Sequence, residues 1–436
     1  MTGTEIISIR AHQVYTNRGM PGVEAIVTTE NGAVGRAMCT SGVSMGTHEI
    51  KFCFDGGDRF HGKGVMGAVN NVNNIIAPAL RGMDASKQGE VDQALLSIVP
   101  DAKLKLGGNA TAAVSAAVLK AGAKALGIPL YRHIGGANAM YLPVPGVAMA
   151  GGHERYGGGI TTPGGKPTMS LTAFGFKSFA EASYACWECH TRWAEKMKKR
   201  FGGTPNARDF IAIPKGVFKS DLYIWEEMYK TVVEAGYEDR VGFQMDVATD
   251  TYHNKEDNKY YGLFDEHPKT KDELYNFYLK IINEFPFCII EDPFDEDDYE
   301  TTAAFTKDSG IQIVGDDLFT TNVERIKKGI KVGAANTVLL KVNQIGTISE
   351  ALDMIQYAYQ FGYSIMPSDS RGEGDSIGDY SVGINAGSIR ECGIGARANR
   401  LIEIEEELGK SARFIGARSL KGFRNQKRAD KLEGKE

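Results

Sequence analysis

No run of eighteen apolar residues occurs anywhere in the chain, so no segment is expected to cross a membrane as a helix. An excess of basic residues is missing too. The 50 Lys and Arg stand against 55 Asp and Glu, for a net charge of −5, whereas proteins held on nucleic acid by phosphate contacts are normally basic. Neither a membrane nor a nucleic acid is therefore expected as a partner. Cysteine is sparse: Cys39, Cys53, Cys186, Cys189, Cys288 and Cys392 follow no framework spacing. Met1–Arg10 carries no long apolar stretch after a basic start, so the expectation is reduced thiols in a cytoplasm rather than a disulfide scaffold. Cys186-Trp187-Glu188-Cys189-His190 spells the C-x-x-C-H of haem attachment. That chemistry requires export, and a zinc site would need further ligands at metal spacing. The pattern reads as a coincidence on an amphipathic helix from about Phe179 to Lys198.

What is present is an ordinary globular composition, 42% hydrophobic and 24% charged, in a length of 436 residues. Such a chain suits two or three domains, or a small domain beside a large barrel, and needs no covalent staple. Glycine is the one surplus, at 52 residues against a usual share of about 7%. Residues 5–40 are β-rich, with Asn31-Gly32 as a hairpin signal. Apolar residues at helical spacing follow over Val65–Leu80 and Ala110–Leu126. Residues 1–138 therefore read as an α+β domain.

From Leu142 onward, short apolar strands alternate with amphipathic helices. Strands are expected at Val241–Met245, Phe287–Ile290, Ile311–Val314, Thr337–Leu340 and Tyr363–Met366. Helices are expected at Lys271–Glu284, Thr301–Asp308, Asn322–Gly329 and Thr347–Phe361. This alternation implies parallel pairing, and the length suits a β/α barrel over 139–416. The long Gly/Pro loop from His153 to Gly165 is of the kind that usually carries function. The end of the chain, Gly409 to Glu436, holds nine Lys/Arg against three Asp/Glu, and 417–436 is expected to fray as a basic polar tail.

Three of these strands end in acid: Asp246, Glu291-Asp292 and Asp316-Asp317. A barrel gathers the C-terminal ends of its strands on one face, where active sites lie. Converging carboxylates repel unless a cation neutralises them, and oxygen-only ligands favour a hard ion such as Mg²⁺. The competing reading is that each acid caps the next helix. The next strand ends in Lys341. An ammonium beside a divalent cation in a dry pocket loses proton affinity and can serve as a base, while a structural ion pair is the plainer role. Together the set suggests removal of a proton α to a metal-held carboxylate.

The residues then point to a family. Ser41-Gly42-Val43-Ser44-Met45-Gly46, His61-Gly62-Lys63-Gly64-Val65, Ile290-Glu291-Asp292-Pro293-Phe294, Gly315-Asp316-Asp317-Leu318 and Leu339-Leu340-Lys341-Val342-Asn343-Gln344-Ile345-Gly346-Thr347 resemble the enolase family, and the resemblance runs from Glu5 to about Gly416. It implies an N-terminal α+β domain capping a modified TIM-like barrel. It also implies Asp246, Glu291 and Asp316 as Mg²⁺ ligands, Ser44 as a loop ligand of a second Mg²⁺, and a homodimer or higher homo-oligomer. Lys341 would be the α-proton base; a Lys or His base with Mg²⁺ is the known pattern of enolase-superfamily sites.

The chain also departs from that pattern. The region of the family's general acid reads Ile213-Pro214-Lys215-Gly216, with Lys215 its only titratable group. The place of a second active-site glutamate falls near Thr168. The glycine-rich loop becomes Gly151-Gly152-His153-Glu154-Arg155. The phosphate-binding segment becomes Ser368-Asp369-Ser370-Arg371-Gly372-Glu373, where an aspartate would repel a phosphate and Arg371 could supply a guanidinium fork. The late lysine maps near Arg390, which could hold a carboxylate but is a poor proton carrier. His153, Glu154 and Lys215 are the candidates for assisting the leaving group, and Ser41, Asp369, Ser370, Arg371 and Arg390 for binding the substrate. The expectation is a divergent Mg²⁺-dependent lyase or dehydratase acting on a small hydroxy- or phospho-acid other than 2-phosphoglycerate. The alternatives are an ordinary phosphopyruvate hydratase, which makes phosphoenolpyruvate from 2-phosphoglycerate, and a non-catalytic binding protein with the same shell.

Overall fold

The computed structural model describes residues 3–16, 19–42, 46–152, 155–157, 166–202 and 210–435. The chain opens with an antiparallel sheet of β1 (Ile6–Tyr15), β2 (Pro21–Thr29) and β3 (Val34–Thr40). The expected hairpin turn is present, with Gly32 at φ +82°. Along β2, Val23, Ala25 and Val27 are buried on the face toward the core, and Ile26 on the other face is buried as well. The alanine-rich helix Gly108–Ala125 covers β2 and β3. Its approach is close enough to require glycine at Gly35, where a Cβ would stand 2.1 Å from the Ala117 carbonyl oxygen.

The second unit is a closed barrel. Its strands are β4 (Val144–Gly151), β5 (Thr168–Ala173), β6 (Ile211–Ala212), β7 (Val241–Asp246), β10 (Phe287–Glu291), β11 (Gln312–Gly315), β12 (Thr337–Leu340), β13 (Ser364–Pro367) and β14 (Ser388–Ile389); the hairpin of β8 (His253–Asn254) and β9 (Lys259–Tyr260) lies in the loop after β7. Strands β7, β10, β11, β12 and β13 run parallel in that order. Strand β14 pairs parallel with β4, and the Arg390 amide donates to the Pro367 carbonyl at 3.0 Å, joining the two ends of the ring. Strand β5 is the exception, antiparallel to both β4 and β7. The barrel strands are buried along their length, so they read in sequence as apolar runs without alternation.

The N-terminal unit caps the mouth at which these strands end. Asn343, just past β12, donates from Nδ2 to the Met38 carbonyl at 2.9 Å. Thr40 N donates to the Arg371 carbonyl at 3.0 Å. Asp92 accepts from Ser349 N at 2.9 Å and from Ser115 Oγ at 2.6 Å.

The expected frayed tail is instead a helix over Phe423–Leu432, after a turn at Gly416–Ser419. Ala417, Leu420 and Ala429 are buried, an apolar stripe too sparse to dominate the basic composition. Asn425 Nδ2 donates to the Cys288 carbonyl at 2.9 Å, and Arg428 to the Phe287 carbonyl at 3.0 Å. Those carbonyls lie at the start of β10, so the helix closes the end of the barrel opposite the cap. Its charge is balanced locally, since Arg418 pairs with Asp430 and Glu433. Among the described residues, no single helix is long and apolar enough to cross a membrane.

Candidate active site

The strands deliver their charged ends to one place. Asp246 and Glu291 are the last residues of β7 and β10 and stand in register as neighbours. Asp316 follows β11, Lys341 follows β12 and Arg390 follows β14. Because β5 runs antiparallel, it is the start of that strand that reaches the mouth: Thr168 is in register with Asp246, and Lys166 stands two residues before it. None of the three acids caps a helix. Those duties fall to Thr270, Asp298 and Asn322, whose side chains accept the amides of Glu273, Thr301 and Glu324.

The cluster is densely paired. Lys341 Nζ donates to Asp316 Oδ2 at 2.7 Å, with the lysine only 3% exposed. Arg390 spreads over three acids: one terminal nitrogen meets Asp246, the other donates to Glu291 Oε1 at 2.8 Å, and Nε donates to Glu391 Oε1 at 3.2 Å. Lys166 also pairs with Asp246. Asp292, at φ +43°, accepts the backbone amides of Asp316 at 3.0 Å and Asp317 at 2.8 Å, which fixes the loop that carries Asp316.

Burial dominates the electrostatics. It pushes Glu291 up to about 7 against the pull of Arg390, and Asp317 up to about 7 with help from Asp316. Burial acts on Asp316 in the same direction, but the charge and hydrogen bond of Lys341 outweigh it and hold that carboxyl below its usual range. Lys166 is brought down to about 8, by burial first and by Arg390 second.

The donor set fits a hard divalent cation. Glu291, Asp292 and Asp316 offer carboxylate oxygens within 4.8 Å of one another; both Asp292 oxygens are taken by backbone amides, and Asp246 stands outside that trio, linked to Glu291 through Arg390. Glu291 Oε2 and Asp316 Oδ1 are buried without a hydrogen-bond partner, a costly state that a bound cation relieves.

The structure therefore brings Asp246, Glu291, Asp316, Lys341 and Arg390 together, and it adds Lys166 and Glu391, which sequence reasoning did not select. It does not bring in Lys215. That side chain is exposed on the turn after β6, outside the buried cluster, because β6 ends at Ala212 and a Pro-Lys-Gly turn follows. Arg371 is buried, but its fork is taken by Glu49 rather than left open for a phosphate. Asp369 accepts the Gly374 amide at 2.9 Å and pairs with Arg397 at 3.5 Å, an organising role for its own turn. Ser370 Oγ lies 3.4 Å from an Arg371 nitrogen. Ser41 is buried just past β3. Ser44, His153 and Glu154 lie outside the described residues. Cys186 and Cys189 are buried, with burial pushing both thiols up, the second to about 12, and His190 is pressed down to about 4 by burial. These are the properties of core side chains.

Comparison with known proteins accounts for nearly the whole chain. The family model described as "Enolase, N-terminal domain" matches residues 6–134, and "Enolase, C-terminal TIM barrel domain" matches 139–423. A protein named enolase from Methanococcus aeolicus is 41% identical over 418 residues, covering 93% of this chain and 96% of that protein. Proteins of the same name from Thermococcus gammatolerans and Pyrococcus furiosus are each 40% identical, the former over 97% of this chain and 98% of its own length, the latter over 96% and 99%.

Proposed function

This chain belongs to the enolase family and is a carbon–oxygen lyase of it; on that premise we propose that Lys341 removes the α-proton of a small carboxylic acid held at Asp246, Glu291 and Asp316. The observation that carries this reading is the buried position of Lys341 at the end of β12, its Nζ 2.7 Å from Asp316 Oδ2 and beside two carboxylate oxygens that lack partners. A cation taken up by Asp316 would compete for that ion pair and favour the unprotonated amine that acts as the base. The electron pair of the broken C–H bond forms the new C=C bond, and the β-substituent leaves with the electrons of its C–O bond. Mg²⁺ bound at the three carboxylates would hold the substrate carboxylate and stabilise the negative charge that proton removal creates. Arg390 contributes a fixed positive charge from the β14 side. The cap excludes water from the mouth, which strengthens each of these interactions.

Likeness over the full chain to proteins named enolase supports 2-phosphoglycerate as that acid, ahead of the different acid that the departures in sequence suggest. The same likeness sets the non-catalytic reading aside. A different hydroxy- or phospho-acid is the second reading, and one observation favours it: the Arg371 fork, the expected anion contact, is spent on Glu49. An assay of the purified chain with 2-phosphoglycerate and Mg²⁺ separates the two. Turnover on the order of 10 s⁻¹ supports the first. Absence of turnover, with elimination from another acid of the class, supports the second. A cytoplasmic setting and a homodimer complete the proposal, the latter tested by light scattering in solution.

A further inference from the structure

Each of three acids at the mouth already carries a cation of the chain itself. Asp316 holds Lys341, Asp246 holds Lys166 and Arg390, and Glu291 holds Arg390. These three carboxylates thus meet three cations, while Asp292, Asp317 and Glu391 add further negative charge around them. Arg390 differs from the two lysines in what it does. Its planar fork is the one group that bridges two of the carboxylates, and a guanidinium does not shed its proton.

Its position is also fixed from several sides. The Arg390 amide is tied to the Pro367 carbonyl at 3.0 Å. Nε is held by Glu391 Oε1 at 3.2 Å, and that same oxygen accepts from Ser170 Oγ at 3.2 Å. Glu391 sits at φ +52°, a left-handed conformation that a non-glycine residue adopts only where its surroundings impose it. The strained backbone aims the carboxylate back at Arg390.

We propose that Arg390 is a built-in cation of the carboxylate cluster, aimed by Glu391 as a positioning residue, that holds Asp246 and Glu291 together without metal and so makes this chain bind its divalent cation weakly. The inference rests on the reading of Asp246, Glu291 and Asp316 as the metal ligands. Two charges of the same sign drawn to the same oxygens oppose each other, so Arg390 and the metal compete.

Calorimetric titration with MgCl₂ alone, together with thermal unfolding with and without Mg²⁺, tests this on the full chain. Arg390→Gln should bind Mg²⁺ about tenfold more tightly than the unmodified chain. It should unfold at a lower temperature without Mg²⁺ and recover that loss when Mg²⁺ is added. Glu391→Gln should move both readouts in the same direction by a smaller amount. Arg36→Gln, on β3 of the N-terminal unit, should move neither. If Arg390→Gln fails to fold, Arg390→Lys keeps the charge but loses the fork, and a severalfold gain in Mg²⁺ affinity is expected of it. Unchanged or weaker Mg²⁺ binding in the folded Arg390 variants, with binding intact in the unmodified chain, overturns the proposal and leaves the metal reading standing. Absence of Mg²⁺ binding in every form overturns both.

Discussion

Arg371 and Glu49 form a buried ion pair across the seam between the two domains: Nε lies 3.1 Å from Oε2, a terminal nitrogen meets Oε1, and the two side chains are 2% and 1% exposed. Glu49 Oε1 also accepts the Gly46 amide at 3.2 Å, and the Arg371 carbonyl accepts from Asn343 Nδ2 at 3.0 Å. The pair therefore ties the loop after β3 to the loops after β12 and β13. Burial drives Arg371 toward losing its charge, and Glu49 more than offsets that.

Breaking this pair from one side should be expensive. Removing one partner of a buried pair leaves the other uncompensated, at a cost of about 3–5 kcal/mol, whereas replacing both by apolar groups is often close to neutral. Glu49→Gln and Arg371→Met should each lower stability in denaturant titrations by amounts in that range. The double variant should lose clearly less than the sum. Additive losses would mean that the two side chains act independently.

The C-terminal helix should be needed for a folded barrel. Asn425 is fully buried and spends its amide on the Cys288 carbonyl at 2.9 Å and the Lys421 carbonyl at 2.7 Å. Asn425→Ala should cost about 1–3 kcal/mol, the penalty for stranding buried polar groups. Ending the chain after Gly416 should give an aggregating product, since it uncovers the base of β10 and β11. A soluble truncated chain with unchanged thermal unfolding would contradict this account.

Stability should fall as pH rises, through Asp250. Burial, and then the hydrogen bond and charge of Asp295, push Asp250 up to about 8, while Asp295 is held low. The folded pair keeps a proton that the unfolded chain gives up in the ordinary carboxylate range. Its contribution is complete below that range and is lost as pH rises through about 8, because the folded state binds more protons in between. Thermal midpoints should drop between about pH 4 and pH 8, and Asp250→Asn should flatten that drop. An identical pH profile in the variant would show that the pair does not govern it.

Much of this arrangement is legible in the amino-acid sequence. Strands β7, β10, β11, β12 and β13 are buried parallel strands, and such strands announce themselves as short apolar runs; the acids that end three of them stand out against that background. Lys166 was not legible, because its arrival at the mouth depends on β5 running antiparallel, and nothing local in Thr168–Ala173 encodes a direction. The Glu49–Arg371 pair spans 322 positions, a distance over which a single sequence carries no pairing signal. In the segment from Gly409 to the end of the chain, the buried Ala417, Leu420 and Ala429 set the packing while nine basic residues set the composition. The departures near Lys215 and Asp369 were visible as residues, but their consequences were not. Only the fold shows that Lys215 stands outside the cluster and that Asp369 organises its own turn.

The central claim is that Lys341 takes the α-proton, and exchange of that proton with solvent tests it most directly. The chain should be incubated with 2-phosphoglycerate and a panel of related hydroxy-acids in D₂O with Mg²⁺, and deuterium at the α-carbon followed by NMR. Exchange on at least one acid is predicted for the unmodified chain. In folded Lys341→Gln it should fall by about 10²–10⁴, the usual contribution of a general base. Exchange at an undiminished rate in Lys341→Gln would contradict the account.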